Sequence, residues 1–354
     1  SSRQAIVFKP DLAEAHNNLG NALKDLGRLE ESGESYRQAI LFKPGLAQAH
    51  YNLGIVMTEL GRLEAAEASY RQAVIFKPNY AEALYNLGLM LHKLGRCEEA
   101  EASYRKSIAI KPDFAEAHSN LGNSLKVLGK LAEAKAFYRQ ALDLKPDLAE
   151  ARHQLASLTG ETTQFAPRAY VEKLFDEYAS KFEHSLVDNL EYKMPKVIVE
   201  MILKNNPRGT LGSIIDLGCG TGLIGLEIKK YCTNLEGVDL SNQMLDKARN
   251  KNVYEILTYR DIIDYLSTEK LNFNYFISAD VFVYVGDLSN VFRLIKTRNS
   301  SGGKLVFSTE HTDKNGFVLE KSGRYSHSKT YIESLCEKYN YTLSHFEMVN
   351  LRKD

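Results

Sequence analysis

The sequence predicts a multidomain protein in which an all-α repeat solenoid is followed by an α/β Rossmann-like domain. Residues 1–158 repeat with a constant period of 34, which indicates stacked helical units. From residue 212 onwards, short apolar runs alternate with helical segments, as is typical of a parallel sheet covered by helices. A glycine-rich turn at 218–222 follows the first of these runs. Glycine there indicates that a ligand lies against the backbone.

The composition excludes several classes of protein. Of 354 residues, 44% are hydrophobic and 25% are charged, and the formal net charge is zero. A neutral chain lacks the basic surface that favours nucleic acid or anionic membranes. No apolar run reaches the roughly 18 residues of a spanning helix. The four cysteines are scattered without a Cys-x-x-Cys pair, so we expect no metal site and a cytoplasmic location.

The repeat units share residues at equivalent positions. The shared elements are Asn-Leu-Gly at 18–20, 52–54, 86–88 and 120–122, tyrosine at 36, 70, 104 and 138, and Lys-Pro starting at 43, 77, 111 and 145. This pattern resembles the tetratricopeptide repeat, in which two antiparallel helices form each unit. We expect the glycine of each unit to lie where two helices approach too closely for a side chain.

Both ends of the array differ from a complete unit. Residues 1–10 match only the tail of a unit, so we expect the chain to begin inside a repeat and the natural protein to be longer. A fifth unit starts at Asp147 and has only its first helix, ending near residue 160. A lone final helix is a common cap for such an array.

The resemblance implies that the concave face of the array binds a protein or peptide. The first helix of each unit lines that face and carries one asparagine per unit, at Asn18, Asn52, Asn86 and Asn120. A row of amides can hydrogen-bond the backbone of an extended peptide, so we predict partner contacts for the last three. The alternative is that asparagine at this position only fixes the packing of neighbouring helices.

A polar linker at 159–167 separates the array from the second domain, predicted over 168–354. This domain begins with a helical lid at 168–211. Apolar residues recur at helical spacing between 170 and 182, and a second helix is predicted at 196–204. We expect Tyr178 to close over a bound ligand, although this face also fits an ordinary helical core.

The remaining elements alternate. Strands are predicted at 213–217, 235–239, 253–258, 273–279, 303–309 and 341–349, and helices at 222–231, 241–250, 287–298 and 328–339. In sheets of this kind, ligands bind outside the carboxyl ends of the strands.

Two cofactor classes compete at the glycine turn. Gly220-Thr-Gly222-Leu-Ile-Gly225 fits the dinucleotide fingerprint, which alone is weak evidence. Asp216, two residues before Gly218, would repel a pyrophosphate and favour a ligand with an ammonium or sulfonium group. The chain that follows is also too short for two nucleotide-binding halves and a substrate domain.

Residues 212–354 resemble the class I S-adenosylmethionine-dependent methyltransferases. Asp216-Leu-Gly-Cys-Gly-Thr-Gly222 matches their first motif, and Gly237-Val-Asp239 matches their second. The resemblance implies that Asp239 accepts hydrogen bonds from both ribose hydroxyls, and that Asp261 and Ile262 contact the adenine. The other implied cofactor contacts are Asp216, Gly218, Cys219, Gly220, Thr221, Gly222, Leu240 and Met244, with Tyr178 from the lid. With the repeats, nearly the whole chain resembles bacterial tetratricopeptide-repeat methyltransferases.

The end of the chain departs from that family. Its sheet normally ends in a hairpin of two strands, whereas this sequence stops at Asp354, just after the sixth predicted strand. We therefore expect the last strand to be missing, which would leave an exposed sheet edge.

Four residues near strand ends are candidates for the catalytic base, which is needed only if the acceptor arrives protonated. They are Asp280, Tyr284, His311 and His327. We predict that 322–328 is a loop across the substrate opening, where Arg324 holds a carboxylate or phosphate and Tyr325 contacts the substrate. The alternative is a solvated loop that caps the following helix through Ser326 or Ser328.

Three functions fit these observations. The leading hypothesis is an S-adenosylmethionine-dependent methyltransferase whose repeats recruit a protein or peptide that is itself the candidate substrate. The first alternative is a small-molecule methyltransferase whose repeats serve only docking or assembly. The second is a non-catalytic scaffold with a vestigial cofactor site, which the intact motifs disfavour.

Overall fold

A computed structural model describes residues 12–179, 182–183, 192–206, 210–268, 271–300 and 302–349. It divides into two compact units, Ser1–Leu155 and Ala156–Asp354. The partial repeat predicted at residues 1–10, part of the predicted lid and the chain end after 349 lie outside the described residues. Within those residues, no helix is both long and apolar enough to cross a bilayer.

The first unit is built from antiparallel helix pairs, which confirms the predicted repeat array. The pairs are α1 (Ala13–Asp25) with α2 (Leu29–Phe42), α3 (Ala47–Glu59) with α4 (Leu63–Phe76), α5 (Ala81–Lys93) with α6 (Cys97–Ile110), and α7 (Ala115–Val127) with α8 (Leu131–Leu144). Helix α9 (Ala149–Thr159) follows them.

A glycine and a tyrosine fix the packing within each pair. A Cβ at Gly54 would lie 2.6 Å from the ring of Tyr70, which is buried in the next helix. The same 2.6 Å approach recurs at Gly20, Gly88 and Gly122. The predicted close approach of two helices at these glycines is therefore confirmed, because any side chain would displace the tyrosine.

The second unit contains a five-stranded parallel sheet in the order β3-β2-β1-β4-β5. Its strands are β1 (Ser213–Leu217), β2 (Asn234–Asp239), β3 (Ile256–Tyr259), β4 (Tyr275–Ser278) and β5 (Lys304–Phe307). Its helices are α10 (Arg168–Tyr178), α11 (Met194–Lys204), α12 (Leu223–Ile228), α13 (Asn242–Lys251), α14 (Ile262–Thr268), α15 (Ser289–Arg298) and α16 (Lys329–Lys338).

Alternation along β1 explains why both faces of the sheet are covered. Ile215 and Leu217 belong to one buried cluster, which includes side chains of α15 and α16. Ile214 belongs to the cluster on the other face, which includes side chains of α11 and α12. A strand that is apolar on both faces is typical of a parallel sheet between two helical layers.

The structure corrects three sequence-based predictions. Helix α14 was not predicted. Residues 322–328 are not a loop, because β8 (Tyr325–His327) is the middle strand of a small sheet with β6 (Glu310–His311) and β7 (Phe317–Leu319). The strand predicted at 341–349 is wrong: these residues form no ladder and are mostly exposed, so their alternating pattern has no partner to pair with.

Candidate functional site

A cavity of about 770 Å³ lies at the carboxyl ends of the central strands. It is bounded by the glycine turn after β1 and by residues that follow β2, β3 and β4. The predicted site residues that line it are Tyr178, Gly218, Gly220, Asp239, Leu240, Met244, Asp261, Ile262, Asp280, Tyr284 and Arg324. The strand order reverses between β1 and β4, which is the position where such sheets bind ligands.

The glycine turn leaves room for a ligand against its backbone. Gly218 and Gly220 have φ of 78° and 53°, in the left-handed region that favours glycine. A Cβ at Gly218 would lie 2.3 Å from Val281, whereas one at Gly220 would meet nothing within 4 Å. Gly220 therefore faces open cavity, and this cradle fits an elongated ligand such as the one that the sequence motifs imply.

Asp239 ends β2 and holds the turn in place. Its Oδ2 accepts the backbone N–H of Gly220 (2.8 Å) and its Oδ1 accepts that of Ser241 (2.8 Å). Burial raises the pKa of Asp239 to about 6, above its ordinary 3.8, and the backbone donors oppose this rise. The carboxylate remains largely charged at neutral pH, so it can accept further hydrogen bonds from hydroxyl groups in the cavity.

Asp261 lies at the start of α14 and accepts the backbone N–H of Ile263 (2.8 Å). It also pairs with Arg168 of the lid helix at 3.0 Å. Arg168 contacts both carboxylate oxygens of Asp264, at 2.6 and 2.8 Å. Two carboxylates therefore share one guanidinium at this end of the cavity.

The lid helix α10 is held over the strand ends along one polar edge. Arg168, Glu172 and Asp176 are spaced four residues apart and so lie on one side of the helix. Glu172 accepts the hydroxyl of Tyr259, and Asp176 accepts that of Ser241 at 2.5 Å. The lid helix thus contacts residues beside Asp239 and Asp261.

The adjoining face of the lid contributes aromatic rings to the cavity. Phe175 meets Tyr284 edge to face with ring centroids 5.3 Å apart. Phe182 lies 6.4 Å from Phe175 and 5.6 Å from Tyr178. We call these four residues the aromatic wall; all of them line the cavity.

Asp280 follows β4 and carries an unusual backbone conformation. Its φ of 56° is uncommon for any residue other than glycine, although aspartate tolerates it better than most. Ser308 holds it from two sides: its hydroxyl accepts the Asp280 N–H at 2.8 Å and donates to Oδ1 at 2.9 Å. The carboxylate is thereby fixed at the cavity wall.

Four predicted cofactor contacts do not line the cavity. The carboxyl of Asp216 is buried and accepts the hydroxyl of Tyr254 at 2.7 Å, and burial raises its pKa to about 7. The thiol of Cys219 is buried, which raises its pKa well above the ordinary value. Thr221 is buried, and a Cβ at Gly222 would contact Tyr254. These four residues therefore support the glycine turn on the side away from the cavity.

The structure does not bring either predicted histidine to the cavity. His327 is buried, with Nε2 near the carbonyls of Val285 and Gly286 (3.0 and 2.9 Å) and Nδ1 at 2.6 Å from the Thr309 hydroxyl. Burial lowers its pKa. Because both ring nitrogens are occupied, its position does not fit the predicted base. His311 pairs with Asp313 instead.

Tyr325 and Arg324 also differ from their predicted roles. Tyr325 is fully buried, with its hydroxyl 2.5 Å from that of Thr163, so its placement does not fit substrate contact. Arg324 does line the cavity, but its Nε lies 3.0 Å from Glu310. That pair neutralises the charge predicted to hold an anion.

In the first unit, the asparagine row is used between neighbouring repeats. Asn52 donates to Asn17 (3.1 Å), and equivalent bonds join Asn86 to the Tyr51 hydroxyl (3.3 Å) and Asn120 to that of Tyr85 (3.0 Å). These contacts favour the packing alternative, because each of these amides already donates a hydrogen bond to the preceding repeat.

Sequence reasoning missed several residues of the site. Arg168, Glu172 and Asp176 could have been found from their four-residue spacing beside the apolar positions of the same helix. Asp287 and Asn290 also line the cavity. Nothing in the sequence signals these two, because their position depends on how the segment after β4 folds back.

Two kinds of family model match the chain. A model described as "TPR repeat" matches residues 20–61, 56–95 and 88–129, and one described as "Tetratricopeptide repeat" matches 115–148. A model described as "Methyltransferase domain" matches residues 209–349.

Curated proteins match at low identity. The ubiquinone biosynthesis O-methyltransferase of Coxiella burnetii is 27% identical over 99 residues, covering 27% of this chain and 42% of that protein. The N-demethylindolmycin N-methyltransferase of Streptomyces griseus is 25% identical over 130 residues, covering 34% and 54%. The biotin biosynthesis bifunctional protein BioHC of Saccharophagus degradans is 26% identical over 145 residues, covering 40% and 25%. The chain thus spans between a quarter and about half of these relatives.

Among solved structures, MamA is 27% identical, with a TM-score of 0.40, over 42% of this chain and 87% of that one. The prediction of a repeat protein fused to a methyltransferase is confirmed by the family models. The chain joins tetratricopeptide repeats at residues 20–148 to a methyltransferase domain at residues 209–349.

Proposed function

We propose that this protein is an S-adenosylmethionine-dependent methyltransferase whose repeats recruit a protein or peptide. The observation that carries the proposal is the cavity that Gly220, Asp239 and Asp261, three residues of the matched domain, line together. The low-identity relatives named as O- and N-methyltransferases support the reaction type.

The residues present fit this cofactor. Asp239 would accept the ribose hydroxyls, Asp261 and Ile262 would contact the adenine, and the glycine turn would pass beneath the chain of the ligand. Bound there, the cofactor supplies an electrophilic methyl group on a good leaving group. The protein mainly has to position the acceptor and exclude water, which is how proximity lowers such barriers.

Cofactor binding is tested by calorimetry with S-adenosylhomocysteine. We expect Asp239→Ala to weaken binding by at least 100-fold, since two hydrogen bonds to a charged group are worth about 1.5–3 kcal/mol each. Asp246→Ala, at an exposed aspartate on α13, controls for the charge change. Unchanged affinity in Asp239→Ala would refute the assignment.

The substrate class is tested separately with methyl-labelled cofactor in native cell extract. We expect label in the protein fraction, and a chain lacking the repeats should lose this labelling. Label confined to small molecules would contradict the recruitment of a polypeptide substrate.

The mainly apolar lining of the cavity favours a second candidate. A methyltransferase acting on a small apolar molecule would use the same cavity, with the repeats serving only in docking. Phe165, Val171 and Val291 add further apolar surface to the lining. In the labelling experiment, this candidate predicts a labelled small molecule whose yield does not depend on the repeats.

A further inference from the structure

We propose that the part of the cavity between Asp280 and the aromatic wall binds the methyl acceptor through an amino group. This inference rests on the proposed function of the same site and narrows the substrate class. Its basis is the charge and the surface chemistry of the cavity lining.

The cavity contains no uncompensated positive charge among the described residues that line it. Arg168 is shared between Asp261 and Asp264. The guanidinium of Arg324 lies 3.0 Å from Glu310, which compensates its charge, although its buried Nε makes no hydrogen bond among the described residues. An acceptor that carries a carboxylate or phosphate would have to compete with these carboxylates for the two guanidinium groups. Anionic acceptors are therefore disfavoured.

Carboxylates are in excess. Asp239 and Asp261 lie at the end of the cavity that we assign to the cofactor. Asp280 and Asp287 are the carboxylates that line the rest of the cavity. Asp287 accepts the hydroxyl of Tyr331 (2.9 Å) and the N–H of Ser289 (2.9 Å). Among the described residues, Asp280 accepts the Ser308 hydroxyl, and no cation lies within ion-pair distance of it. Its carboxylate has capacity for another donor.

The aromatic wall complements that carboxylate. Tyr284 lies four residues after Asp280 along the segment that leaves β4, and its ring contacts Phe175 of the lid. Aromatic faces attract ammonium groups, and they do so more strongly where water is excluded. A cavity that is lined by this carboxylate and by several rings suits an amine better than an anion.

Binding is measured by calorimetry on the full chain, with and without S-adenosylhomocysteine, using 2-phenylethylamine and 3-phenylpropionate. The two probes have similar size and opposite charge. We expect the amine to bind at least tenfold more tightly than the acid. Equal or tighter binding of the acid would overturn the proposal.

Asp280→Asn isolates the carboxylate, since asparagine also accepts the left-handed backbone conformation. We expect amine affinity to fall about tenfold, equivalent to 1.4 kcal/mol, while S-adenosylhomocysteine affinity stays within twofold. Asp313→Asn, at a fully exposed side chain, is the matched control and should change neither. Unchanged amine affinity in Asp280→Asn would overturn the inference.

Two sources of the amino group are separated by a third comparison. A blocked tripeptide with a central lysine is titrated beside the same peptide with acetyl-lysine. Preference for the free lysine supports a polypeptide amine, whereas binding of phenylethylamine alone supports a small one. If S-adenosylhomocysteine fails to bind, the proposed function fails, and the titrations without it still decide the amine inference.

Discussion

The contacts within the repeat array join residues that are close in sequence, whereas those within the methyltransferase domain join residues that are far apart in sequence. In the array, Tyr70 packs on Gly54 in the same unit, and Asn86 reaches one unit back to Tyr51. In the domain, Arg168 meets Asp264 across 96 residues. The array repeats the same short-range packing contacts in each unit, whereas the cavity is formed by segments that are distant in sequence.

The two units also treat charge differently. Many ion pairs of the array are exposed on both sides, such as Arg62 with Glu30 at 2.6 Å, and exposed pairs contribute little to stability. The domain instead buries Asp216 and half-buries Asp239 at the glycine turn. The difference teaches that the array obtains its stability from packing, while the domain accepts buried charge where it forms a site.

The largest expected effect follows from the buried charge. Because burial raises the pKa of Asp216 from 3.8 to about 7, folding favours its protonated form. The stability this provides is complete below about pH 4 and is lost as pH rises through 7. Asp216→Asn should therefore stabilise the second unit at pH 8 relative to the wild type, by on the order of a few kcal/mol.

This effect is measured by hydrogen exchange on the full chain. The exchange times at each pH are adjusted for the pH dependence of the intrinsic exchange rate. Slowly exchanging amides of β1 and β4 should be better protected in Asp216→Asn than in the wild type at pH 8. This gain in protection should be smaller at pH 4. Amides of the repeats should show no such difference. Asp246→Asn is the surface control, and equal protection of wild type and Asp216→Asn at both pH values would contradict the prediction.

The next effect lies in the array. Gly54→Ala places a methyl group 2.6 Å from the ring of Tyr70, and overpacking of this kind costs about 1–3 kcal/mol. Gly45→Ala is the control, because its Cβ would sit at an ordinary 3.6 Å from Phe76. Hydrogen exchange in α3 and α4 should increase in Gly54→Ala only. Equal behaviour of the two variants would show that the tyrosine can move freely.

The same contrast explains what the sequence could predict. Repetition made the array predictable down to the glycine–tyrosine contact. In the domain, β1 was predicted with its observed bounds, because Ile214, Ile215 and Leu217 form an apolar run before glycine. Asp239 and Asp261 were identified through the family resemblance, and Asp280 because it lies near the end of a predicted strand.

Failures of prediction share a physical cause. Strand β8 is three residues long and carries a serine and a histidine, so its composition does not indicate a buried strand. Residues 341–349 have the alternation of a strand, but a strand needs a ladder partner that the sequence does not reveal. Asp216 lies on the same side of β1 as Ile214, and this alternation could have placed its carboxyl behind the turn.

The smallest expected effect concerns the polar edge of the lid. Arg168→Gln removes the pairs with Asp261 and Asp264, which are partly exposed and worth about 0.5–1 kcal/mol together. We expect S-adenosylhomocysteine affinity to fall about two- to fivefold, and amides of α10 to exchange faster. High salt should reduce the wild-type affinity toward that of the variant, because salt screens the same pairs.

A matched control distinguishes the loss of the Arg168 ion pairs from the loss of a surface charge in general. Arg249 pairs with Asp246 on α13, outside the cavity lining, so Arg249→Gln should leave affinity and α10 exchange unchanged. If Arg168→Gln instead tightened binding, the ion pair would be competing with the adenine for Asp261. The lid would then be held mainly by Asp176, Glu172 and the aromatic wall, whose contacts do not involve Asp261.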